Sequence, residues 1–198
     1  MSDPGQKFNF SPENIERANA HVAKYPEGRQ ASAVLPLLDL AQRQNGGWIS
    51  REVMAYVAEY LDMAEIRVYE VATFYTMLNL NPVGKYLIQL CRTTPCWLCG
   101  SNDLRDACKE ELGIGVGEST ADGMFTLVEV ECLGACVNAP MVQINDDFYE
   151  DLTAARMKEI LAMLRRGEQP PAGSQTGRQT SAPAYGATTL LDSGSAIC

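Results

Sequence analysis

The feature that most constrains this chain is a set of four cysteines that form two close pairs. One pair has a C-x4-C pattern and the other a C-x3-C pattern, and their members are Cys91, Cys96, Cys132 and Cys136. Each pair starts at the end of a segment whose apolar and β-branched residues predict a buried strand, at 85–91 and at 125–132. If these strands are neighbours, the loops that follow them leave the sheet at one edge, and the four thiols converge there.

Four thiolates are the usual ligands of a 2Fe-2S cluster, because cluster iron prefers soft sulfur ligands. The main alternative is a structural zinc site, which most often uses C-x2-C or similarly close pairs. The spacings here, with 35 residues between Cys96 and Cys132, favour the cluster. We therefore predict one 2Fe-2S cluster, with these four cysteines as its cofactor-binding residues and iron ligands. Gly134, inside the second loop, is expected to let a backbone amide approach the sulfide of the cluster closely.

The other three cysteines are given no role in the cluster. Cys99 completes a C-x-x-C with Cys96, and such a pair can act as a redox dithiol. We rank that interpretation low because it leaves the remaining paired cysteines unexplained. Cys108 lies on the apolar face of a predicted helix and is expected to be a buried small hydrophobic residue. Cys198 is terminal and is expected to be a free thiol.

The region 1–80 is predicted to be a bundle of three or four helices. Ser11 is a favourable N-cap for the first of them. A second helix is expected over 31–44, where Pro36 would kink it or delay its start. The segment 66–78 has the β-branched and aromatic composition of a strand but the length and setting of a helix, and we interpret it as a helix.

The region 81–166 has the predicted order β-α-β-β-β-α, which indicates a small mixed sheet with helices packed on it. Ser101 is expected to cap the first helix, which ends at Gly113. Residues 145–147 predict the turn of a hairpin, and Thr153 is expected to cap the last helix. The predicted fold class is therefore α/β (α+β), a helical bundle followed by this mixed-sheet domain.

The region 167–198 differs in composition from the rest of the chain. Half of its 32 residues are Gly, Pro, Ser or Thr, and its only large aliphatic residues are Leu190, Leu191 and Ile197. It cannot bury enough apolar surface to order itself alone. We interpret it as a flexible tail or as an arm that a partner orders.

Charge and motif content exclude several classes of function. The formal net charge of −9 disfavours binding to nucleic acid or to anionic lipid. The first residues have no apolar signal segment and no stretch reaches 18 apolar residues, so we expect a cytoplasmic protein that meets a membrane only through a partner. No G-x-G-x-x-G follows a strand and no P-loop is present. The single histidine, His21, completes no nucleophilic triad, and we predict no catalytic residue.

An electron carrier without its own flavin or nicotinamide site requires a partner that has one. NADH delivers two electrons as a hydride, whereas a 2Fe-2S centre carries one electron at a time, and a flavin usually separates the two. The residues by themselves therefore predict an electron carrier whose partner is not specified.

Two stretches around the cysteines, at 68–96 and 125–146, closely resemble the thioredoxin-like 2Fe-2S ferredoxin subunit of NADH:quinone oxidoreductase, or respiratory complex I. The resemblance covers roughly residues 10–166. It implies a helical N-terminal part, a thioredoxin-like domain, and cluster ligands at Cys91, Cys96, Cys132 and Cys136. It also implies docking on the subunit that binds FMN and NADH, beside other peripheral-arm subunits, on the cytoplasmic side of the bacterial inner membrane.

Three other functions compete with this one. The same module occurs in NAD-reducing hydrogenases and NAD-dependent formate dehydrogenases, so either assembly is an alternative to complex I. A zinc-stabilised interaction module is an alternative of another class. A freestanding thiol oxidoreductase that uses Cys96 and Cys99 is the third.

Overall fold

The computed structural model describes residues 7–187 and 189. The chain divides into two compact units, the first ending at Lys85 and the second beginning at Tyr86. The first unit is helical, and its helices are α1 Pro12–Val22, α2 Val34–Gln44, α3 Arg51–Tyr60 and α4 Glu65–Phe74. Its core is formed by the apolar faces of these helices, including Leu37, Leu38, Val53, Val57 and Val68.

The ends of these helices follow from short local signals. The hydroxyl of Ser11 accepts a hydrogen bond from the Asn14 amide, which confirms the predicted N-cap. A 3-10 turn, Gln30–Ala33, precedes α2, and Pro36 lies in the first turn of that helix. Proline is tolerated there because first-turn amides have no intrahelical partner. The expected delay of the helix start is therefore confirmed.

The helix predicted over 66–78 is present but shorter, because α4 ends at Phe74 and Tyr75 is already extended. Beyond α4 the chain leaves the helical path, and hydrogen bonds of Asn79 hold it there. The Asn79 amide donates to the Gln42 side chain at 2.7 Å, and the Asn79 carbonyl accepts from the Ile49 amide at 2.7 Å. These long-range hydrogen bonds outweigh the helical preference of residues 75–78, the last four of the predicted helix.

The second unit is a five-stranded mixed sheet with the order β2-β1-β3-β4-β5. The strands are β1 Tyr86–Cys91, β2 Phe125–Val130, β3 Val142–Ile144, β4 Asp147–Glu150 and β5 Gly173–Ser174. The helices are α5 Thr94–Leu98, α6 Ser101–Leu112 and α7 Ala154–Arg165. The predicted α/β class is confirmed, and α5 and β5 are additions to the predicted order.

The register of the sheet brings the two cysteine loops together. β1 and β2 are parallel, with Cys91 opposite Val130, so both loops leave the sheet at the same edge. β2 ends at Val130 rather than at Cys132, which therefore lies in the loop. β3 is antiparallel to β1 with Val142 opposite Leu90, so the chain entering β3 meets the same edge.

Most turns and helix caps in this unit lie where the sequence predicts them. The β3–β4 hairpin is confirmed, with Asn145 at a positive φ of 54° and its side chain accepting from the Leu87 amide. Thr153 caps α7 as predicted. The prediction that Ser101 caps α6 is wrong. Gly100, with φ of 101°, is the N-cap because the chain must turn sharply between α5 and α6, and Ser101 is buried in the first turn.

Part of the segment after α7 lies against the second unit. β5 pairs in parallel with β4, Tyr149 opposite Gly173. Pro170 is buried beside it. Residues 188 and 190–198, with Cys198, lie outside the described residues. Within the part of the chain that the structure describes, no helix is both long and apolar enough to span a bilayer.

Candidate iron–sulfur site

The four predicted ligands lie together at the cysteine-bearing edge of the sheet. Cys91 is the last residue of β1, and Cys96 sits in α5. Cys132 follows β2, and Cys136 begins a 3-10 turn, Cys136–Asn138. The Cys132 and Cys136 sulfur atoms are 3.4 Å apart, and the Cys96 thiol donates to the Cys91 sulfur. The structure thus places two thiol pairs at this edge of the sheet.

The two pairs differ in their exposure to solvent. Cys91 and Cys96 are each 1% exposed and form a small apolar cluster with Met141. Cys132 and Cys136 are both exposed. One side of the site is therefore enclosed by the domain, and the other side faces outward.

Within the buried pair the two thiols ionise differently. Burial opposes ionisation of Cys91, but hydrogen bonds from Thr93, the Leu133 amide and the Cys96 thiol outweigh it and lower the Cys91 pKa. Burial and the hydrogen bond to Cys91 raise the pKa of Cys96 to about 12. Iron binding at Cys96 therefore requires its thiol to lose a proton.

The exposed pair shows the same division. The Gly134 amide, followed by the Cys136 thiol, lowers the pKa of Cys132. The pKa of Cys136 is raised, chiefly because its thiol donates to the Cys132 sulfur. In each pair one thiol therefore ionises more readily than the other, and the thiolate is the form that binds metal.

Backbone amides of other residues approach three of the four sulfurs. The Gly134 amide lies 3.4 Å from the Cys132 sulfur. The Leu133 amide contacts Cys91, and the Met141 amide contacts Cys96. The Gly134 amide thus approaches a cysteine sulfur, and its expected approach to the sulfide of a cluster stays a prediction. The glycine is required by its φ of 85° rather than by space, since nothing lies within 4 Å of the position of a Cβ.

Thr93 connects the two pairs, a role that the cysteine motifs did not indicate. Its hydroxyl lies 3.4 Å from the Cys91 sulfur and also contacts Cys132. Thr93 is the N-cap residue of α5, yet its side chain makes no capping bond there. The available signal was Thr93-Thr94-Pro95, a cap followed by a proline in the first helical turn, which predicts a short helix between the ligands.

Replacing Thr93 by the isosteric valine is expected to lower the reduction potential of the bound cluster. A metal-bound Cys91 sulfur can only accept a hydrogen bond, so the hydroxyl is the donor and stabilises the more negative, reduced state. The expected shift is about 20–60 mV, the equivalent of one hydrogen bond for a one-electron couple. EPR-monitored redox titration measures it. Thr94→Val, in the same loop, is the control, and an unchanged potential in Thr93→Val would contradict the assignment.

The remaining cysteines of the described chain lie apart from this arrangement. Cys99 is exposed at the end of α5. Cys108 is fully buried in the apolar core of the sheet domain, and this burial raises its pKa to about 12. The predicted role of Cys108 as a buried hydrophobic residue is therefore confirmed.

The residues present fit a two-iron cluster. Over residues 7–187 and 189, no three or more His, Cys, Asp or Glu side chains are grouped as they would be around a single ion. The thiols form two pairs, and an all-cysteine 2Fe-2S centre is held by four protein sulfurs. The amides at the sulfurs would stabilise the negative charge of such a centre.

The thioredoxin-like [2Fe-2S] ferredoxin family model matches residues 18–165 of this chain, which include all four paired cysteines. The chain belongs to the thioredoxin-like [2Fe-2S] ferredoxins. This membership confirms the predicted family and the thioredoxin-like fold. It also agrees with the two thiol pairs at the sheet edge.

Similar ferredoxins come from bacteria and from mitochondria. An NADH-quinone oxidoreductase subunit of Rickettsia bellii is 59% identical over 158 residues, which are 80% of this chain and 95% of that protein. The mitochondrial NADH dehydrogenase [ubiquinone] flavoprotein 2 of Dictyostelium discoideum is 52% identical over 185 residues, or 93% of this chain and 75% of that one. The similarity therefore extends well beyond the cysteine loops.

Among solved structures, an NAD+-reducing [NiFe]-hydrogenase in the air-oxidized state superposes with a TM-score of 0.58 at 20% sequence identity. The match covers 66% of this ferredoxin and 23% of the hydrogenase chain, so this protein spans about a quarter of that chain. At this identity the likeness supports the fold.

Proposed function

We propose that this ferredoxin is the one-electron carrier subunit of an NADH:quinone oxidoreductase. The observation that carries the proposal is the convergence of two thiol pairs, Cys91 with Cys96 and Cys132 with Cys136, at one sheet edge. It occurs in a chain that is 59% identical to a bacterial protein named as part of that enzyme. These four cysteines are the proposed ligands of one 2Fe-2S cluster.

In this proposal, different residues of the chain hold the two halves of the cluster. Cys91 and Cys96 form the enclosed half of the site, and the exposed Cys132 and Cys136 form the half that faces outward. The amides of Gly134, Leu133 and Met141 and the Thr93 hydroxyl donate toward sulfur and set the local potential. When bound, the cluster accepts and releases one electron at a time.

The outward half is where we propose that the partner docks. Trp97 and Leu98, next to Cys96, are 55% and 71% exposed, and Val137, next to Cys136, is 64% exposed. Exposed large apolar side chains around a redox centre are typical of an interaction site. We infer that the partner is the subunit that carries FMN and binds NADH. Attachment to the cytoplasmic face of the membrane would then be indirect, through the assembled complex.

A second assembly is kept as a candidate because the fold matches a hydrogenase chain. In an NAD-reducing hydrogenase or a formate dehydrogenase the same docking face would meet an equivalent flavin-bearing part. Purification of a tagged chain from its native cell separates these possibilities. Co-purifying hydrogenase or formate dehydrogenase subunits would replace the NADH:quinone oxidoreductase assignment.

The decisive experiment combines metal analysis with EPR of the full-length protein. We expect two irons and two acid-labile sulfides per chain and, after reduction with dithionite, a low-temperature 2Fe-2S signal. In the purified complex NADH should produce the same signal, whereas NADH added to the isolated chain should not. One zinc per chain without iron or colour would refute the cluster and leave an interaction module.

A further inference from the structure

The segment after α7 returns to the cysteine-bearing edge of the sheet and contacts the loop of Cys136. We call residues 173–180 the strap. It begins with β5, which pairs with β4, and continues past Arg178 to Thr180. Two residues that directly follow Cys136, Val137 and Asn138, are its contacts on the loop.

A buried carboxylate anchors the strap. One oxygen of Asp151 pairs with Arg178 at 2.9 Å, and the other accepts from Ser174 at 2.6 Å and from Asn138 at 3.3 Å. The side chains of Asp151 and Arg178 are only 7% and 14% exposed. A buried ion pair with additional hydrogen bonds is costly to break by removing one partner, because the other charge is left uncompensated.

The same arginine reaches the cluster loop. Its second terminal nitrogen donates to the Val137 carbonyl at 2.9 Å. Asn138, which is 3% exposed, donates from its side chain to the Thr180 carbonyl at 2.8 Å. The Asn138 carbonyl also accepts from the Asp151 amide at 2.8 Å. The 3-10 turn that begins at Cys136 is therefore tied to the strap by Arg178 and Asn138 and to the end of β4 by Asp151.

This arrangement matters because Cys136 is one of the two exposed sulfurs. Val137 is 64% exposed and adds little apolar packing to the Cys136 turn, whereas Arg178 and Asn138 link that turn to the strap by polar bonds. The strap has no large apolar residue of its own, and both the pairing of β5 with β4 and the Arg178–Asp151 ion pair hold it in place. Arg178 thus links the strap and the Cys136 turn directly, through the Asp151 carboxylate and the Val137 carbonyl.

We propose that Arg178 is a positioning residue of the iron–sulfur site, which fixes the Cys136 turn and slows loss of iron from the exposed side. The inference rests on the proposed function, since it takes Cys136 to be a ligand. The planar guanidinium group of Arg178 can bind the Asp151 carboxylate and the Val137 carbonyl at the same time. The ammonium group of a lysine is a compact point charge and does not have this geometry. Lysine at this position should therefore restore only part of the effect.

The test uses full-length holoprotein with Arg178→Ala, Arg178→Lys and the control Arg166→Ala, which removes an exposed ion pair with Glu168. Iron transfer to a colorimetric chelator is timed, and amide hydrogen exchange is followed at residues 136–139. We expect iron loss to be at least about tenfold faster in Arg178→Ala. This is the lower end of the effect seen when a group that supports a metal ligand is removed. Arg178→Lys should be intermediate and Arg166→Ala unchanged. Exchange should rise at 136–139 but not in β1 or α6.

The proposal would be overturned if Arg178→Ala lost iron, and exchanged its amide hydrogens, at the same rates as the wild-type protein. A uniform rise of exchange through β1 and α6 would also overturn it, because it would show a role in the stability of the whole domain. If the wild-type protein holds no iron, the proposed function fails instead. Amide hydrogen exchange at 136–139 in the metal-free Arg178→Ala protein then tests whether the strap fixes the Cys136 turn. Faster exchange than in the metal-free wild-type protein supports this role, and unchanged exchange refutes it.

Discussion

Replacement of Cys96 by serine is expected to abolish the 2Fe-2S EPR signal, and replacement of Cys91 should do the same. Both residues are 1% exposed, so bulk water has little access to the place of the missing sulfur. Serine oxygen is a harder ligand than thiolate and matches cluster iron poorly. At the exposed Cys132 and Cys136, serine is expected to leave a reshaped signal or none. Iron content and low-temperature EPR of the reduced variants measure both effects.

The matched control is Cys99→Ser, because Cys99 is only three residues from Cys96 and is exposed at the end of α5. It should retain the wild-type iron content and signal. Cys108→Ser, in the core, and Cys198→Ser should retain the signal as well. Loss of activity in Cys99→Ser combined with full activity in Cys132→Ser would contradict the ligand set and favour the dithiol alternative.

The second large effect is expected at the docking face. Leu98 is 71% exposed in the described chain, and Leu98→Asp places a charge where we propose that the flavin-bearing subunit packs. Loss of an interface hot spot costs about 2–4 kcal/mol, so affinity for that subunit should fall roughly 30- to 1,000-fold. The cluster should be unaffected because Leu98 is largely exposed and is not one of the proposed ligands. Co-purification with the co-expressed partner and the EPR signal of the free variant measure the two properties.

Val116→Asp is the control for this variant. Val116 is 40% exposed and lies in the loop after α6, which pairs through Gly117 with the outer side of β2. It offers the same change of chemistry on the same unit, away from Trp97 and Val137. Equal partner binding by Leu98→Asp and the wild-type protein, or equal loss in both variants, would contradict the proposed docking face.

Local sequence signals determined much of the fold. Ser11 and Thr153 predicted helix starts, Gly113 a helix end, and Asn145 a hairpin turn, because caps and tight turns depend on the side chain and dihedral angles of one or two residues. Strand composition also predicted β1 and β2, since a strand buried on both faces must be apolar almost throughout. The cysteine spacing then gave the candidate ligand set.

Other features depended on contacts between residues far apart in the chain. α4 ends early because Asn79 bonds to Gln42 and Ile49, and no local pattern encodes that bond. Gly100 takes the cap position that Ser101 was expected to fill, because α5 intervenes and forces a turn. In both places a tertiary requirement overrides a weak local preference.

The sequence by itself determined which residues carry the chemistry: the two cysteine pairs, their strands and the family to which they belong. Only the tertiary structure decided how those residues are supported. Thr93 reaches both pairs, and Arg178 lies 42 residues beyond Cys136 yet contacts the carbonyl next to it. The physical reason is that ligand identity depends on the chemistry of single side chains, whereas support depends on distances that the chain sets only when the sheet and the strap have folded together.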